Sequence, residues 1–518
     1  MTRDIGKVLI ANRGEIAVRI LRGLRDLGIR GAVVYSDADR ASLPVLLADE
    51  AYRIGPAPSS ESYLRGDAIV DLAVEIGADA IHPGYGFLAE NESFARRCEQ
   101  HGVIFIGPRA DAIATMGSKI ESRRLMIDAG VPVVPGGRDP LPDLEAARAA
   151  AAAVGFPVML KASAGGGGKG MRRVMTEAEL PAAFREARSE AAAAFGDDTV
   201  YMEKLIADPR HVEIQVLGDH HGHIVSLNER ECSLQRRNQK VVEEAPSPVV
   251  DADLRRRMGE VAVTAARAVG YTSAGTVEFL LDRDGEFYFL EMNTRLQVEH
   301  PVTELVTGLD LVIAQLRIAG GEALDPELDH VEPRGHAIEV RLYAEDPFRS
   351  FAPSPGRITR LRLPEGPGVR NDSGVYEGAE VPIYYDPLIA KMIVWASDRD
   401  GAIARLERAL AELRIEGIRT NAPLFRQILR DADFRAGRID IGTLDRKLAS
   451  GEWAPPSEES AEDSQGEDLA LLAATVAHAE RLKTTTLLPA TAGGQASGKR
   501  SHWREAARRE GLGNRSWS

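Results

Sequence analysis

The stretch TVEFLLDRDGEFYFLEMN, residues 276–293, predicts a β-hairpin that carries two opposed acidic side chains. Both arms are rich in β-branched and aromatic residues, and they flank Asp284-Gly285, a dipeptide that two-residue hairpin turns prefer. Counting back from such a turn places Glu278 directly opposite Glu291. Like charges at opposed positions destabilise a sheet, so the pair requires a physical explanation.

A divalent cation that bridges the two carboxylates is one explanation. Asn293 projects to the same face of the hairpin and would supply a third oxygen ligand. Oxygen ligands suit magnesium carrying nucleotide phosphates better than zinc, because Cys and His do not cluster in this region. The alternative is that Glu278 and Glu291 are two solvated side chains on an edge hairpin.

Three polar residues alternate just beyond the hairpin: Arg295, Gln297 and Glu299. In an extended backbone all three side chains would face one way, beside the carboxylate pair. A guanidinium can hold a planar, carboxylate-like anion through two hydrogen bonds, and a neighbouring carboxylate can take a proton from it. The pattern therefore indicates an anion pocket. An ordinary salt bridge between Arg295 and Glu299 explains the same pattern.

Upstream of the hairpin, a predicted strand ending in Lys161 is followed by a run of four glycines, Gly165, Gly166, Gly167 and Gly168. Bare backbone amides in such a run could close over phosphate oxygens. The run is not a P-loop, because Ser163 and Gly170 stand where that motif needs Gly and then Ser or Thr. A flexible loop is the alternative, but Lys161 and Lys119, at a predicted helix start, favour a mobile lid over polyphosphate.

Farther upstream, residues 5–115 alternate between predicted strands and helices, which indicates a parallel α/β layer. The turn after the first strand, residues 12–15, lacks the G-x-G-x-x-G spacing of a dinucleotide site, so nicotinamide binding is disfavoured. A second turn, residues 82–87, places an aromatic residue and two glycines after a short strand. Open α/β sheets bind ligands at the carboxyl ends of their strands, although this turn is equally explained as structural.

The composition narrows the class of protein. A chain of 518 residues is too long for one core, and 44% apolar and 27% charged residues with no long apolar run exclude a membrane span. Two cysteines and no signal-peptide core indicate a reducing cytoplasm. The net charge of −14 argues against general affinity for nucleic acid or anionic membranes.

Ten of the 64 basic residues are lysines, and five lysines fall between residues 119 and 240. The preference for Arg elsewhere suggests that these lysines sit where a compact ammonium is needed.

Together these segments resemble biotin carboxylase, of the ATP-grasp superfamily. The resemblance spans residues 5–447 and rests on the first strand and turn and on motifs at residues 82–87, 161–170, 201–204, 229–246 and 291–301. It implies a mixed α/β and α+β fold. A Rossmann-like parallel layer would precede an ATP-grasp domain with a mobile glycine-rich lid, followed by a biotin-carboxylase-type α+β domain. The implied boundaries are residues 1–118, 119–330 with the lid at about 132–204, 331–447, and 448–518 for a linker and tail.

The resemblance also implies a reaction and its partners. ATP would phosphorylate bicarbonate to carboxyphosphate, and biotin on a separate carrier protein would then be carboxylated. This would be the first half-reaction of an acetyl-CoA or propionyl-CoA carboxylase. The expected assembly contains a biotin carboxyl carrier protein and a carboxyltransferase, with this chain as a homodimer or in a larger complex. In biotinylated domains of this family the modified lysine lies between two methionines. The sequence contains no Met-Lys dipeptide, so we expect the biotin to reside on another chain.

Individual side chains receive roles from the resemblance. Positions that bind the nucleotide are matched by Lys119, Lys161, the four glycines, Glu203, Lys204, Leu205, His211, Gln235 and Asn238. The magnesium or manganese ligands are matched by Glu278, Glu291 and Asn293, in agreement with the hairpin register. The bicarbonate and biotin pocket is matched by Lys240, Arg295, Gln297, Val298 and Arg341. Four of the matched residues would be catalytic: Lys240, Arg295, Glu299 as the base that deprotonates bicarbonate, and Arg341, which would stabilise the biotin enolate.

Asn238 departs from part of the family. Acetyl-CoA carboxylase subunits of bacteria usually have His there, whereas chains resembling propionyl-CoA carboxylase α subunits have Asn, which favours propionyl-CoA or mixed acyl-CoA as the final acceptor. Two alternatives remain at the level of function: another ATP-grasp ligase, or a catalytically silent ATP-binding scaffold. The segment after residue 450, acidic at first and basic at its end, is expected to dock a partner, with plain disorder as the alternative.

Overall fold

The computed structural model describes residues 4–137, 139–163, 171–454 and 475–476. The chain forms two units, Met1–Pro455 and Pro456–Ser518, and only residues 475–476 of the second are described, as helix. The predicted glycine lid and nearly all of the predicted docking segment lie outside the described residues. No helix in the described part of the chain has the length and apolar character needed to cross a bilayer.

The N-terminal region is the predicted parallel α/β layer. Its elements are β1 (Lys7–Ile10), α1 (Gly14–Asp26), β2 (Arg30–Ser36), α2 (Leu43–Leu47), β3 (Glu50–Gly55), α3 (Gly66–Glu75), β4 (Ala80–His82), α4 (Glu92–Gln100), β5 (Ile104–Phe105) and α5 (Ala110–Gly117). The strands form one parallel sheet in the order β3-β2-β1-β4-β5. Apolar cores cover both faces of this sheet, which explains why residues 8–10 are continuously apolar and fully buried.

The central region contains a small subdomain and most of a large antiparallel sheet. Its elements are α6 (Lys119–Asp128), α7 (Leu144–Val154), β6 (Val158–Ala162), β7 (Arg172–Val174), α8 (Leu180–Phe195), β8 (Val200–Lys204), β9 (Arg210–Gly218), β10 (Ile224–Arg236), β11 (Gln239–Ala245), α9 (Ala252–Ala268), β12 (Ser273–Leu281), β13 (Phe287–Asn293), α10 (His300–Thr307) and α11 (Leu311–Ala319). The subdomain has its own three-stranded sheet, β7-β6-β8, and its own core within residues 141–202. This is where the resemblance places the lid, at about residues 132–204.

The C-terminal region completes the large sheet. Its elements are β14 (His336–Tyr343), β15 (Glu345–Asp346), β16 (Ala352–Pro353), β17 (Gly356–Arg357), β18 (Arg360–Arg362), β19 (Val369–Ser373), β20 (Glu380–Val381), β21 (Leu388–Ala396), α12 (Arg399–Glu412), β22 (Arg414–Glu416), α13 (Ala422–Arg430), α14 (Ala432–Arg435) and α15 (Thr443–Ala449). The strand order β13-β12-β9-β10-β11-β14-β21-β19 makes one sheet. Through the pairing of β11 with β14, this sheet continues across the domain boundary expected between residues 330 and 331. Ordered packing also continues beyond residue 447, because Trp453 is buried in the C-terminal core and donates a hydrogen bond to Asp431 at 3.1 Å.

The hairpin of β12 and β13 places Glu278 opposite Glu291, as predicted, but by a different route. The Asp282 N–H donates to the Glu286 carbonyl at 2.9 Å and closes a three-residue loop in which Gly285 has φ of +82°. This loop shifts the register by one residue relative to a two-residue turn, and a β-bulge next to Glu278 restores it. The predicted pair is confirmed and the predicted turn is wrong, because two deviations cancel.

Candidate active site

Glu278 is the centre of a buried polar cluster at the hairpin end of the large sheet. One of its carboxylate oxygens accepts hydrogen bonds from Lys240 Nζ at 2.9 Å, Asn293 Nδ2 at 2.8 Å and Gln297 Nε2 at 3.0 Å. The other oxygen lies 2.9 Å from His211 Nε2. Burial alone would raise the pKa of Glu278, but the charges of Lys240 and His211 outweigh burial and hold that pKa well below its usual range. Glu278 is therefore ionised at neutral pH.

Glu291 is the less compensated member of the pair. Burial and then the negative charge of Glu278 raise the pKa of Glu291, and Lys119 and His211 oppose this only in part. Glu278 itself is only 4% exposed, so the alternative of two solvated glutamates is wrong. Two opposed carboxylates, one of them short of positive charge, form the donor set that a hard divalent cation would occupy. Asn293 is less free, since its Oδ1 accepts a hydrogen bond from Arg295 Nη2 at 3.0 Å.

Glu299 lies between two cations. Its Oε1 is 2.6 Å from Lys240 Nζ and its Oε2 is 2.9 Å from Arg341 Nη2. Glu299 is fully buried, and burial would raise its pKa, but Lys240 and Arg341 lower that pKa well below the usual value. The carboxylate is thus available in its ionised form. Lys240 contacts Glu278 as well, so it joins Glu299 to the carboxylate pair.

The segment from Arg295 to Glu299 is not extended, and that prediction is wrong. Residues 294–299 form a loop and a turn that lead into α10, of which Glu299 is the N-cap. Arg295 bonds Gln297 Oε1 at 3.0 Å, but its ion-pair partner is Glu90 at 2.8 Å. The simple Arg295–Glu299 salt bridge is therefore wrong too. The three side chains still belong to one cluster, because Gln297 and Glu299 meet through Glu278 and Lys240.

Two cavities adjoin this cluster, and Glu90 lines both. The larger, of about 550 Å³, lies between the N-terminal layer and the C-terminal region, and its lining includes Tyr85, Arg295, Val298 and Arg341. The turn at residues 82–87 contributes to this lining, so its position at the end of β4 serves a cavity as well as the chain reversal. The smaller cavity, of about 260 Å³, includes Lys119, Glu203, Glu291 and Asn293.

The residues matched to nucleotide-binding positions are only partly brought together. Lys161 Nζ lies 2.5 Å from Glu203, whose other oxygen is 2.8 Å from Arg123. Lys119 lines the same cavity as Glu203. Lys204 turns elsewhere, because its ammonium donates to the carbonyls of Gly155 and Phe156 at 2.9 Å.

The other matched residues that the structure describes lie in or near β9 and β10. The backbone N–H of Leu205 donates to the carbonyl of Pro157 at 3.0 Å. His211 and Gln235 are buried, His211 beside Glu278 and Gln235 paired in register with Lys240. The glycines at 165–168 lie outside the described residues, so their position relative to the cavity stays a prediction.

Asn238 has a local structural explanation. It is exposed in the turn between β10 and β11, with φ of +65°, and Arg237 before it also has a positive φ of 48°. Two consecutive positive φ values define the hairpin turn in which Asn is favoured, since its side chain tolerates the left-handed region. The turn alone is therefore sufficient to select Asn at this position.

Several charged residues that pack around these side chains escaped sequence analysis: Glu90, Arg123, Glu213, Arg230, Glu243, Glu339 and Lys391. Most carry no local signal, because their partners are distant in the chain. Lys391 had one, as one of few lysines in an arginine-rich chain. It is fully buried and donates to the Val298 carbonyl at 2.7 Å, with Glu15 at 3.2 Å.

Lys391→Met should destabilise the protein strongly, because it leaves Glu15 and the Val298 carbonyl buried without their cation. Removal of one partner of a buried ion pair costs about 3–5 kcal/mol. The measurement is the free energy of unfolding by denaturant. Arg256→Met, in an exposed pair on α9, is the control and should leave the free energy of unfolding nearly unchanged, because exposed ion pairs contribute little. Equal small losses in both variants would contradict a central role for Lys391.

The fold and this site define an ATP-binding ligase. The family model for "Carbamoyl-phosphate synthase L chain, ATP binding domain" matches residues 118–327. The family model for "Biotin carboxylase, N-terminal domain" matches residues 4–113, and the model for "Biotin carboxylase C-terminal domain" matches residues 339–446. Together these matches cover most of the described chain.

Relatives agree with this class. Biotin carboxylase 2 of Bacillus subtilis is 55% identical over 442 residues, covering 85% of this chain and 99% of that protein. A pyruvate carboxylase chain of Methanothermobacter thermautotrophicus is 53% identical over 439 residues, covering 85% of this chain and 89% of that one. The chain belongs to the biotin carboxylase family, whose members carboxylate biotin at the expense of ATP.

Solved structures are similarly close. The biotin carboxylase of Campylobacter jejuni, in a complex with a form of ATP, gives a TM-score of 0.83 at 47% identity, covering 86% of this chain and 99% of that one. The biotin carboxylase domain dimer of Hydrogenobacter thermophilus 2-oxoglutarate carboxylase gives a TM-score of 0.83 at 47% identity, covering 88% of this chain and 99% of that one. That dimer was crystallised with ADP, its magnesium salt and bicarbonate. The predicted fold class is thereby confirmed.

Proposed function

We propose that this chain activates bicarbonate with ATP and carboxylates biotin carried by a separate protein, with the buried side chains around Glu278 and Glu299 as its active site. The observation that carries the proposal is the placement of ionised Glu299 between Lys240 and Arg341, next to the carboxylate pair. A base beside two cations can remove a proton from an anion that the cations hold. The full set of proposed catalytic residues is present, which disfavours a silent scaffold.

The nucleotide would occupy the smaller cavity. Lys119 lines it, and Lys161 and Glu203 lie together at its border, so positive charge is available for phosphates. Glu278 and Glu291 would hold the magnesium ion, with Asn293 as a third ligand after release of its oxygen from Arg295. A bound magnesium ion would neutralise phosphate charge.

Bicarbonate and biotin would occupy the larger cavity. Arg295, fixed by Glu90 and Gln297, presents its guanidinium to the anion, and Glu299 accepts the bicarbonate proton. Val298 and Arg341 line the same cavity, so biotin can approach the carboxylating species from there. Arg341 is anchored by Glu243 at 2.6 Å, which places its positive charge where the biotin enolate develops.

The decisive experiment is ATP hydrolysis by the full chain, measured with and without bicarbonate and free biotin. We expect hydrolysis to require bicarbonate, to increase with biotin, and to yield carboxybiotin. Hydrolysis that is indifferent to both would contradict the proposal.

For the wider assembly, we propose a homodimer that works with a biotin carboxyl carrier protein and a carboxyltransferase acting on acetyl-CoA or propionyl-CoA. The dimeric relative supports the first part. The acyl-CoA acceptor rests on the family resemblance alone, because the turn geometry already accounts for Asn238, and the relatives also include pyruvate and methylcrotonoyl-CoA carboxylases. Transfer of labelled carboxyl groups to each of these acceptors, in the native complex, identifies the acceptor.

A further inference from the structure

Glu339, on β14, is a fully buried acid for which the proposed reaction has no use. Neither of its carboxyl oxygens has a hydrogen-bond partner among the described residues. A buried carboxylate without a partner costs several kcal/mol, so an ionised Glu339 would oppose folding. A protonated carboxyl group avoids that cost, but its hydroxyl then needs an acceptor.

Glu243 provides this acceptor. The antiparallel pairing of β11 and β14 puts Glu243 directly opposite Glu339, and side chains so placed have Cβ atoms about 4.5–5.5 Å apart. Glu243 Oε1 accepts from Arg341 Nε at 2.6 Å, whereas its Oε2 is buried and has no partner among the described residues. One proton on Glu339, donated to Glu243 Oε2, accounts for the unpartnered oxygen of Glu243 and for one of the two unpartnered oxygens of Glu339.

The surrounding charges favour this single proton. The charged groups that act on the two acids are Arg341 on β14, Lys391 on β21, Lys240 on β11 and Glu299 before α10. Burial raises the pKa of Glu339 well above its usual value, and Lys391 opposes this only in part. Burial also raises the pKa of Glu243, to about 7, against the opposing charge of Arg341.

We propose that Glu339 and Glu243 share one proton and together act as a positioning pair for Arg341. This inference rests on the proposed roles of Glu299 and Arg341. With the proton present, Arg341 is balanced by Glu299 and by one charge on the pair. When Glu299 takes up the bicarbonate proton, one countercharge disappears, and the guanidinium acts on the cavity with more of its charge. A second charge on the pair would hold Arg341 back toward β11.

The shared proton can be observed without any substrate. Infrared spectroscopy of the full-length protein in mildly alkaline buffer should show the carbonyl stretch of a protonated carboxyl group, sensitive to deuterium exchange. Glu339→Gln should remove this band. Glu229→Gln is the matched control, because Glu229 is equally buried but is held by Arg255 at 2.7 and 2.8 Å, and it should leave the band in place. Absence of the band in the unmodified protein overturns the proposal, even if Glu339→Gln fails to fold.

A pH profile tests the effect on Arg341. In the unmodified protein, loss of the shared proton at high pH should lower kcat for biotin carboxylation. In Glu339→Gln the amide still donates to Glu243 but cannot be deprotonated, so this fall should move to higher pH with the KM for ATP unchanged. Coinciding profiles would overturn the positioning role. If the band behaves as expected but neither protein carboxylates biotin, the proposed function fails and the shared proton stands.

Discussion

Glu299→Gln is expected to abolish bicarbonate-dependent ATP cleavage, with a loss on the order of 10²–10⁴-fold, the usual contribution of a general base. The amide keeps the size of the side chain but cannot accept the bicarbonate proton. ATP binding should persist, because the smaller cavity does not include Glu299. The measurements are the rate of phosphate release with saturating bicarbonate and the affinity for ATP.

Arg341→Ser separates this step from the next one. Because Arg341 is proposed to act on biotin, this variant should retain bicarbonate-dependent ATP cleavage and lose carboxybiotin formation. A parallel loss of both activities in the two variants would show that the division of roles is wrong. Since Arg341 and Glu299 contact each other at 2.9 Å, thermal unfolding of each variant must first show an intact fold.

The second large effect is expected from Glu291→Gln, which should weaken magnesium-nucleotide binding and reduce turnover on the order of 10²-fold, as loss of a charged ligand implies. Glu291 is a better choice than Glu278, which also neutralises buried Lys240 and His211. Removing the Glu291 charge relieves its repulsion with Glu278, so the fold should be unaffected or slightly stabilised.

The control for this experiment lies on the same hairpin. Glu286→Gln changes an exposed acid beyond the reach of the cavity and should leave turnover and magnesium dependence as they were. The measurement is ATP cleavage as a function of magnesium concentration for the three proteins. A magnesium dependence of Glu291→Gln that matches the unmodified protein would refute the assignment.

Much of the fold was accessible from the sequence because its determinants are local. The alternation of strands and helices in residues 5–115 predicts the parallel layer, and the DG turn with its flanking apolar arms predicts the hairpin. The register of Glu278 and Glu291 was predicted correctly through a wrong turn. The three-residue loop and the β-bulge shift the strand register in opposite directions, so their effects cancel. No local sequence pattern predicts either of them.

The sequence by itself determined which chemical groups are available for the proposed site: a carboxylate pair, the cations Lys240, Arg295 and Arg341, and Glu299. The family resemblance supplied their expected roles. Tertiary structure alone decided which charges neutralise one another. Arg295 pairs with Glu90 and Arg341 with Glu243 and Glu299, across separations of 42 to 205 residues. The physical reason is that buried charges pair with whatever the packed sheet brings within reach, and proximity along the chain does not set that distance.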